Sequence, residues 1–597
     1  MDRQMSGKNL RIGCASGFWG DSAEAAGQLV DSGQIDVLVF DYLAEITMSL
    51  LAKAHAKNPE AGYATDFPAV VAAQAGKLAE QGIKVVSNAG GVNPAACKAA
   101  IDAKLKELGV DLKVAIVTGD NLLDRSGELQ GRGIREMFSG AEFPAKPWSI
   151  NAYLGAFPIA QALANGADIV ITGRCVDSAV ALGPLIQHFG WSPTDYNKLA
   201  MGSLAGHVIE CGAQATGGIT TDWREVADSW DNMGYPIAEV AADGSFTLTK
   251  PEGTGGRITP ETVAEQIVYE IGDPGHYLLP DVCCDFRQVR CKQDGDNRVK
   301  VSGAKGAAPG GDYKVCATYQ DGFRATGTMM IGGPEAVEKA EAVAAAILKR
   351  TRRLFEQRSL GDYRRAHIET LGAEANWGPQ SQTRHTREVI LKIAVHHDNR
   401  DALEIFSREF IPPATSMAQG ITGFAGGRPK VTPLLRLFSF LLPKAEVPVA
   451  VDGMPCEVPD GGALTQAEPA PSISGSMSLG DTVQVPLRAI AYGRSGDKGD
   501  SANIGVLARR PEFLPVLQAE LTARTVRNWM GHLLEGAITR YDWPGLEGMN
   551  FYCEQALGGG GTASLRYDPQ GKMLAQILMD CPVHVPKQWV DEGLVKA

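Results

Sequence analysis

Asp41, Asp120 and Asp177 each follow a short apolar run that breaks off into polar or glycine residues: "IDVLVFDY", "LKVAIVTGDN" and "ADIVITGRC". The runs "LRIGCAS" and "IKVVSNAGG" end in the same way, at Ser16, Gly17 and Trp19 and at Asn88, Gly90, Gly91 and Asn93. Carboxylates so placed can act as general bases. Arg174 can clamp a carboxylate or phosphate, and Asn88 and Asn93 can bind polar substrate groups. A fourth acid, Glu210, follows His207 by three residues and precedes Cys211, a spacing that puts all three on one helical face. His207 and Glu210 read either as an acid/base pair or as a helix-face hydrogen bond. A separate group lies in "AYGRSGDKGDSANIGV", residues 491–506. There Arg494 and Lys498 could hold an anion while Asp497 and Asp500 orient them. The stretch reads either as a functional loop or as a decorated hairpin tip, although a tip needs only about two to five residues.

Several alternatives fail on spacing. "GCASGFWGD" places Gly13, Gly17 and Gly20 after a strand, but Gly-x-x-x-Gly-x-x-Gly is not the dinucleotide loop, and Phe18 and Trp19 would crowd a pyrophosphate. "AGKL" lacks the hydroxyl residue of a phosphate-binding loop after Lys77. His396 and His397 are adjacent and would point to opposite faces of a strand. Cys283 and Cys284 have no zinc spacing. No sequence motif assigns a metal ligand.

The polar clusters need a scaffold that brings them together. Through residue 190, short β-branched runs alternate with helix-period segments such as "DFPAVVAAQAGKLAEQG" and "NPAACKAAIDAKLKELG". Continuous apolar strands separated by helices predict a mostly parallel sheet with helices on both faces. Ligands bind beyond the carboxyl ends of such strands, where the acids above fall. Asp66 and Asn93 can cap helices, Pro68 and Pro94 suit first turns, and Gly82 and Gly109 suit the ends. From about 237 to 335 the runs "SFTLTK", "RQVRCKQ", "NRVKVSG", "YKVCATY" and "TGTMMIGG" predict antiparallel strands. Beyond them, "TPLLRLFSFLLP" reads as a buried strand or short helix. In the last 115 residues, "TVQVPLRAIAY", "ANIGVLAR", "ASLRYD" and "MLAQILMD" read as strands, with helices near 511–536. The predicted division is an α/β domain at 8–235, an α+β region of the same module at 236–455, a Pro/Gly/Ser-rich linker at 456–482, and a small α+β domain at 483–590.

Composition limits the role. The net charge of −12 offers no basic face for nucleic acid or an anionic membrane. The odd count of 11 Cys, with no Cys-x-x-Cys pair, fits reduced thiols in a cytoplasmic protein. No segment has the length of a membrane span, and "MDRQMSGKNLRIG" lacks the apolar core of a signal peptide.

The strings "IDVLVFDYLAEITMSLLAK", "VVSNAGGVNP", "NAYLGAFPIAQALANGADIVITGRCVDSAVALGPLI", "LAGHVIECGAQATGGITTDW", "YEIGDPGHYLLPDV", "RSGDKGDSANIGV" and "EQALGGGGTASLRYDPQGK" carry a resemblance. Over nearly its whole length the chain resembles the acyclic terpene utilisation protein A (AtuA) family. The resemblance implies a ferredoxin-like C-terminal domain and a role in citronellol and geraniol catabolism. It also implies a candidate lyase step that splits 3-hydroxy-3-isohexenylglutaryl-CoA into a 3-oxoacyl-CoA and acetate. The other implied role is a non-catalytic acyl-CoA-binding partner of geranyl-CoA carboxylase. Coenzyme A would enter as part of the substrate, and the expected assembly is a homo-oligomer. The family supplies no residue roles. For a retro-aldol cleavage the candidate bases are Asp41, Asp120, Asp177 and Glu210. Asn88, Asn93, Arg174, Arg494, Asp497 and Lys498 are the substrate-binding candidates. A divalent cation such as Mg²⁺ would help as a Lewis acid, although no motif demands one.

Overall fold

The structure, a computed structural model, describes residues 8–424, 426–462 and 480–596. All five apolar runs of the first 190 residues are strands: β1 (Leu10–Cys14), β2 (Val37–Phe40), β3 (Lys84–Ser87), β4 (Val114–Thr118) and β6 (Ile169–Thr172). They pair in parallel in the order β1-β2-β3-β6-β4. Their apolar residues feed two cores, one on each face of the sheet. Parallel pairing puts all five carboxyl ends on one edge.

The flanking helices end as their sequences dictate. Pro68 and Pro94 sit in first turns, and Gly82 and Gly109 close the helices at φ 68° and 66°, where a side chain would be strained. Asn93 caps its helix through Ala96 N at 3.2 Å. Asp66 does not cap. Its carboxylate accepts instead from the Trp19 indole at 2.6 Å. Helix Tyr196–Ile209 packs through small residues, since a Cβ on Gly206 would meet Ser178 at 2.7 Å.

The expected boundary at 235/236 falls inside this sheet. Strand β7 (Ile237–Val240) pairs antiparallel with β1, and β8 (Phe246–Thr249), Val299–Ser302 and Arg290–Gln293 extend that edge, while Ala450–Val451 and Met454–Pro455 extend the other beside β4, giving an 11-stranded sheet. Strand β5 (Pro147–Ala152) belongs elsewhere. It pairs with the strand Asp312–Gly332 in a second, six-stranded sheet. "YKVCATY" and "TGTMMIGG" are thus two halves of one 21-residue strand. "TPLLRLFSFLLP" is its antiparallel neighbour, Thr432–Pro443. Helices Ala336–Glu356 and Arg400–Glu409 cover the apolar face of this sheet.

Residues 456–462 pack against the N-terminal module rather than linking domains: Cys456 and Val458 lie on its core, and Pro459 O accepts from the buried Lys444 at 3.3 Å. The rest of the expected linker, through 479, lies outside the described residues. The C-terminal unit is a four-stranded antiparallel sheet, Ala491–Lys498, Ser501–Ala508, Gly548–Cys553 and Ile538–Trp543, with its own core. The last two strands had no counterpart in the reading of the sequence. "ASLRYD" is not a strand, and "MLAQILMD" forms helix Leu574–Leu578. The latter's buried Leu574, Ala575, Ile577 and Leu578 follow the helical period. The ferredoxin-like expectation for this domain holds. No described helix is long and apolar enough to cross a membrane.

Candidate functional site

Four of the parallel strands, β2, β3, β4 and β6, each deliver one part of a cleft. Asp41, after β2, is buried and takes a hydrogen bond from Asn88 Nδ2 at 2.5 Å, while Asn88 Oδ1 accepts from Tyr42 N at 2.7 Å. Asp120, after β4, accepts from Arg174 N at 2.9 Å and Asn151 Nδ2 at 2.8 Å. It ties the ends of β4 and β6 together, and burial pushes its pKa up to about 6. Arg174 is 4 % exposed, bonds Asp177 at 2.6 Å and Cys175 O at 2.8 Å, and lies over the Tyr153 ring at 4.2 Å. Its Nε is buried with no partner. At the hydroxyl of that ring, Tyr153 OH donates to Glu45 at 2.5 Å, and Lys314 Nζ stands 3.7 Å from the same carboxylate. Glu45 is half-buried; desolvation works to raise its pKa, but Lys314, Arg174 and Tyr153 together hold it down to about 2. Asn93 is not part of this group. Both its amide hydrogens go to Pro59 O and Ala61 O, so it is spent as a cap.

Helix Tyr196–Ile209 brings His207 and Glu210 to the same place. His207 Nε2 is 3.2 Å from Ile267 O, which can only accept, so Nε2 carries the hydrogen. Nδ1, 3.2 Å from Glu210 Oε1, is then an acceptor, and the bridging proton belongs to the Glu210 carboxyl. The electrostatics agree. Burial and the nearby Lys498 charge push His207 down to about 4. Burial, Asp177 and Glu270 raise Glu210 well above the ordinary carboxylate range. Burial, Asp177 and Glu210 raise Asp41 in the same way.

The C-terminal domain closes the cleft. Residues 491–498 and 501–508 are paired to the tip, leaving only Gly499 and Asp500 as the turn. The polar stretch is therefore mostly strand, and alternation explains its composition. Ala502, Ile504 and Val506 enter the domain core. Arg494, Gly496, Lys498, Asn503 and Gly505 lie on the opposite face, against residues 268–272. A Cβ on Gly496 would meet the Tyr269 ring at 2.5 Å, and one on Gly505 would meet Val268 at 2.4 Å. Asn503 accepts from Glu270 N at 2.9 Å and donates to Val268 O at 2.7 Å. Asn550 donates to Ile271 O at 2.7 Å. These contacts grip a turn in which Glu270 has φ 58°, a left-handed conformation that a non-glycine residue keeps only when held.

Two expected contacts differ. Asp497 does not fix Arg494. Its neighbour is Lys572 at 3.8 Å, and burial with Glu270 nearby raises Asp497 to about 6. Arg494 lies over Tyr269 at 4.6 Å and donates to Ile219 O at 3.2 Å and Gln214 Oε1 at 2.5 Å. The reason is alternation again, which sends 494 and 497 to opposite faces. Lys498 remains exposed to water although Tyr277, Glu270, Asp177 and Glu210 surround it. Its side chain therefore reaches water beside these groups. Burial works to lower its pKa and is outweighed by those groups, so its pKa is raised.

Residues 10–452 match the acyclic terpene utilisation family protein AtuA, and residues 485–584 match the AtuA ferredoxin-like domain. The chain belongs to the AtuA family. Membership implies a role in acyclic terpene utilisation. No curated protein matches the chain.

Within this family framework the cleft combines cations (Arg174, Lys498, Lys572, Lys314) with acids (Asp41, Asp177, Glu210, Glu270, Asp497). Among the described residues no three His, Cys, Asp or Glu side chains converge to hold a metal ion. The glycines of "GCASGFWGD" serve packing, since a Cβ on Gly17 would meet the Cys211 backbone at 2.7 Å. Reading the sequence missed Tyr153, Glu270, Tyr277, Lys314 and Lys572. Glu270 left one faint trace, its place in "YEIGDPGHY" before a Gly-Asp-Pro-Gly turn.

Proposed function

We propose that this protein is a carbon–carbon lyase that splits a branched 3-hydroxyglutaryl-CoA, 3-hydroxy-3-isohexenylglutaryl-CoA, into a 3-oxoacyl-CoA and acetate. The observation that carries the reading is the buried His207–Glu210 contact at 3.2 Å, whose hydrogen-bond pattern assigns a proton to Glu210, in a cleft that also contains carboxylates able to accept one. Retro-aldol cleavage needs both. A base, assigned to Asp177 because its side chain is 37 % exposed to the cleft, removes the tertiary hydroxyl proton. The oxygen lone pair forms the ketone as the bond to the carboxymethyl carbon breaks. That bond's electrons pass to the departing acetate as an enediolate, and Glu210 returns a proton to its carbon. Arg174, with its unspent Nε, and Lys498 stabilise the anion as charge builds.

The branched chain is assigned to exposed apolar residues near the strand ends. Phe18, Ile46 and Leu50 are 59 %, 41 % and 51 % exposed, on the segments that leave β1 and β2 at the cleft edge. The test is incubation of the purified protein with the hydroxyglutaryl-CoA, following acetate and the 3-oxoacyl-CoA in equal amounts. Thioester binding without acetate would end the lyase reading and leave an acyl-CoA-binding partner of geranyl-CoA carboxylase.

A further inference from the structure

The second sheet has two unlike faces. One is apolar and covered by helices Ala336–Glu356 and Arg400–Glu409. His397 points into it, with its ring 5.3 Å from Phe355. On the other face, cross-strand pairing sets Thr432, Arg324, His396 and Arg365 in one row over four neighbouring strands. Paired residues share a face, and like charges facing one another across strands are destabilising.

Among the described residues, the one carboxylate paired with this row is Glu535, 3.8 Å from Arg365 at its far end. Glu369 is committed to Lys392 at 2.5 Å, and Asp321 to Arg364 at 2.7 Å and to Arg436. Arg324 gives its one protein hydrogen bond to Thr562 O at 3.0 Å and has no ion pair among the described residues. Arg428 and Lys430 are also without ion pairs among the described residues and are exposed. These three cations, with Thr326 and Thr432, line a cavity of about 340 Å³. Two further polar atoms beside the row are buried and unpartnered: His396 Nε2, on a residue 3 % exposed, and Thr562 Oγ1. Burial lowers the pKa of both Arg324 and His396, the histidine to about 3, with Arg324 adding to the effect at His396. A bound anion would relieve that cost. In a chain of net charge −12, three uncompensated cations around one cavity are a local exception.

We propose that this cavity binds the phosphate groups of a phosphorylated ligand. Guanidinium forks, an ammonium and threonine hydroxyls are the groups that recognise phosphate oxygens. A chain of hydrogen bonds ties the cavity to the cleft side. Lys498 ends the strand on the cleft side of the hairpin tip, and Asp500, in the turn, accepts from Gly559 N at 2.6 Å and Gly560 N at 3.1 Å. Two residues later comes Thr562, whose carbonyl holds Arg324. The nucleotide end of coenzyme A is therefore the ligand assigned here, a link that rests on the acyl-CoA reading above. Phosphate recognition itself does not.

Calorimetric titration of the full chain separates these points, with adenosine 3′,5′-bisphosphate, inorganic pyrophosphate and uncharged adenosine as probes. The bisphosphate should bind, weaken as salt is raised, and lose about tenfold or more in affinity in Arg324→Gln and in Lys430→Gln, one charge-assisted contact each. Adenosine should not bind. Pyrophosphate binding as tightly as the bisphosphate would uphold a phosphate site and overturn its assignment to the coenzyme. Failure of both anions, or unchanged affinity in the variants, would overturn the site. Should Arg324→Gln not fold, Lys430→Gln and Arg428→Gln at exposed positions decide the matter. Intact bisphosphate binding in a protein that releases no acetate would refute the lyase reading alone.

Discussion

Arg174 and Arg494 are both buried and both lie over a tyrosine ring, at 4.2 Å and 4.6 Å, in two different regions of the molecule. At the N-terminal sheet edge, Arg174 faces carboxylates and keeps a buried Nε without a partner. Burial alone would lower its pKa, but Asp177, Tyr153 and Glu45 outweigh that and raise it. On the C-terminal sheet, Arg494 spends its donors on the neutral acceptors Ile219 O and Gln214 Oε1, and burial leaves its pKa lowered. The same side chain is thus poised for an anion in one region and used as a bolt between domains in the other. What differs is the company it keeps and whether any donor is left.

The largest expected effect tests the chemistry of the first region. Glu210→Gln keeps the shape and can still donate to His207 Nδ1, but it has no acidic proton. The rate of acetate release should fall by about 10²–10⁴-fold with little change in melting temperature; a rate within a few-fold of the parent would remove Glu210 as the acid. The second effect tests the bolt. Arg494→Ala leaves Gln214 and Ile219 O without partners and should cost about 1–3 kcal/mol, seen as a lower urea midpoint. Arg174→Gln should instead reduce activity more than stability. If the two variants behaved alike, the contrast between the regions would fail.

The third effect is on ligand binding. Lys498→Ala should weaken acyl-CoA binding by about tenfold to over a hundredfold, the loss of one charge-assisted contact of about 1.5–3 kcal/mol. Its melting temperature should hold, because Lys498 stands in water; unchanged affinity measured by titration would make the strand tip a structural feature only. The smallest effect concerns pH. The folded pKa of His207 is about 4, below its ordinary 6.5. Its contribution to stability is therefore complete above 6.5 and is lost as pH falls toward 4. His396 acts in the same direction. Asp120, raised to about 6, opposes them: its contribution is present below the ordinary 3.8 and is lost as pH rises through 6. His207→Gln should flatten the acid-side fall of the urea midpoint between 6.5 and 4 without abolishing it. A steeper fall would mean that His207 is charged in the folded protein.

The parallel strands were legible because four- and five-residue apolar runs have no reason to exist unless both faces are buried. The helix ends followed because Pro94, Asn93 and Gly109 act through their own backbone. The second sheet was less legible. "YKVCATY" and "TGTMMIGG" are separated by "QDGFRA", which looks like a turn, yet strands Thr432–Pro443 and Glu388–His397 keep the chain extended through it. "MLAQILMD" is short enough for either period, and its packing decided for helix. Asn93 and Asn88 look alike as polar residues after β3, but one amide is consumed by a cap and the other holds Asp41.

The sequence by itself determined the family, the parallel core and the rule that Asp41, Asp120, Arg174 and Asp177 share an edge, because each depends on local periodicity and on the common direction of the strands. Only the tertiary structure decided that Lys498 enters that edge's cleft, that Asn503 and Asn550 hold Glu270's strained turn, and that Arg324, His396 and Arg365 fall in one row. Each of these is a pairing between segments tens to hundreds of residues apart. Alternation can say that two side chains share a face of a strand. Which surface that face meets is fixed only when distant elements dock, and docking also decides which donors are spent and which are left for a ligand.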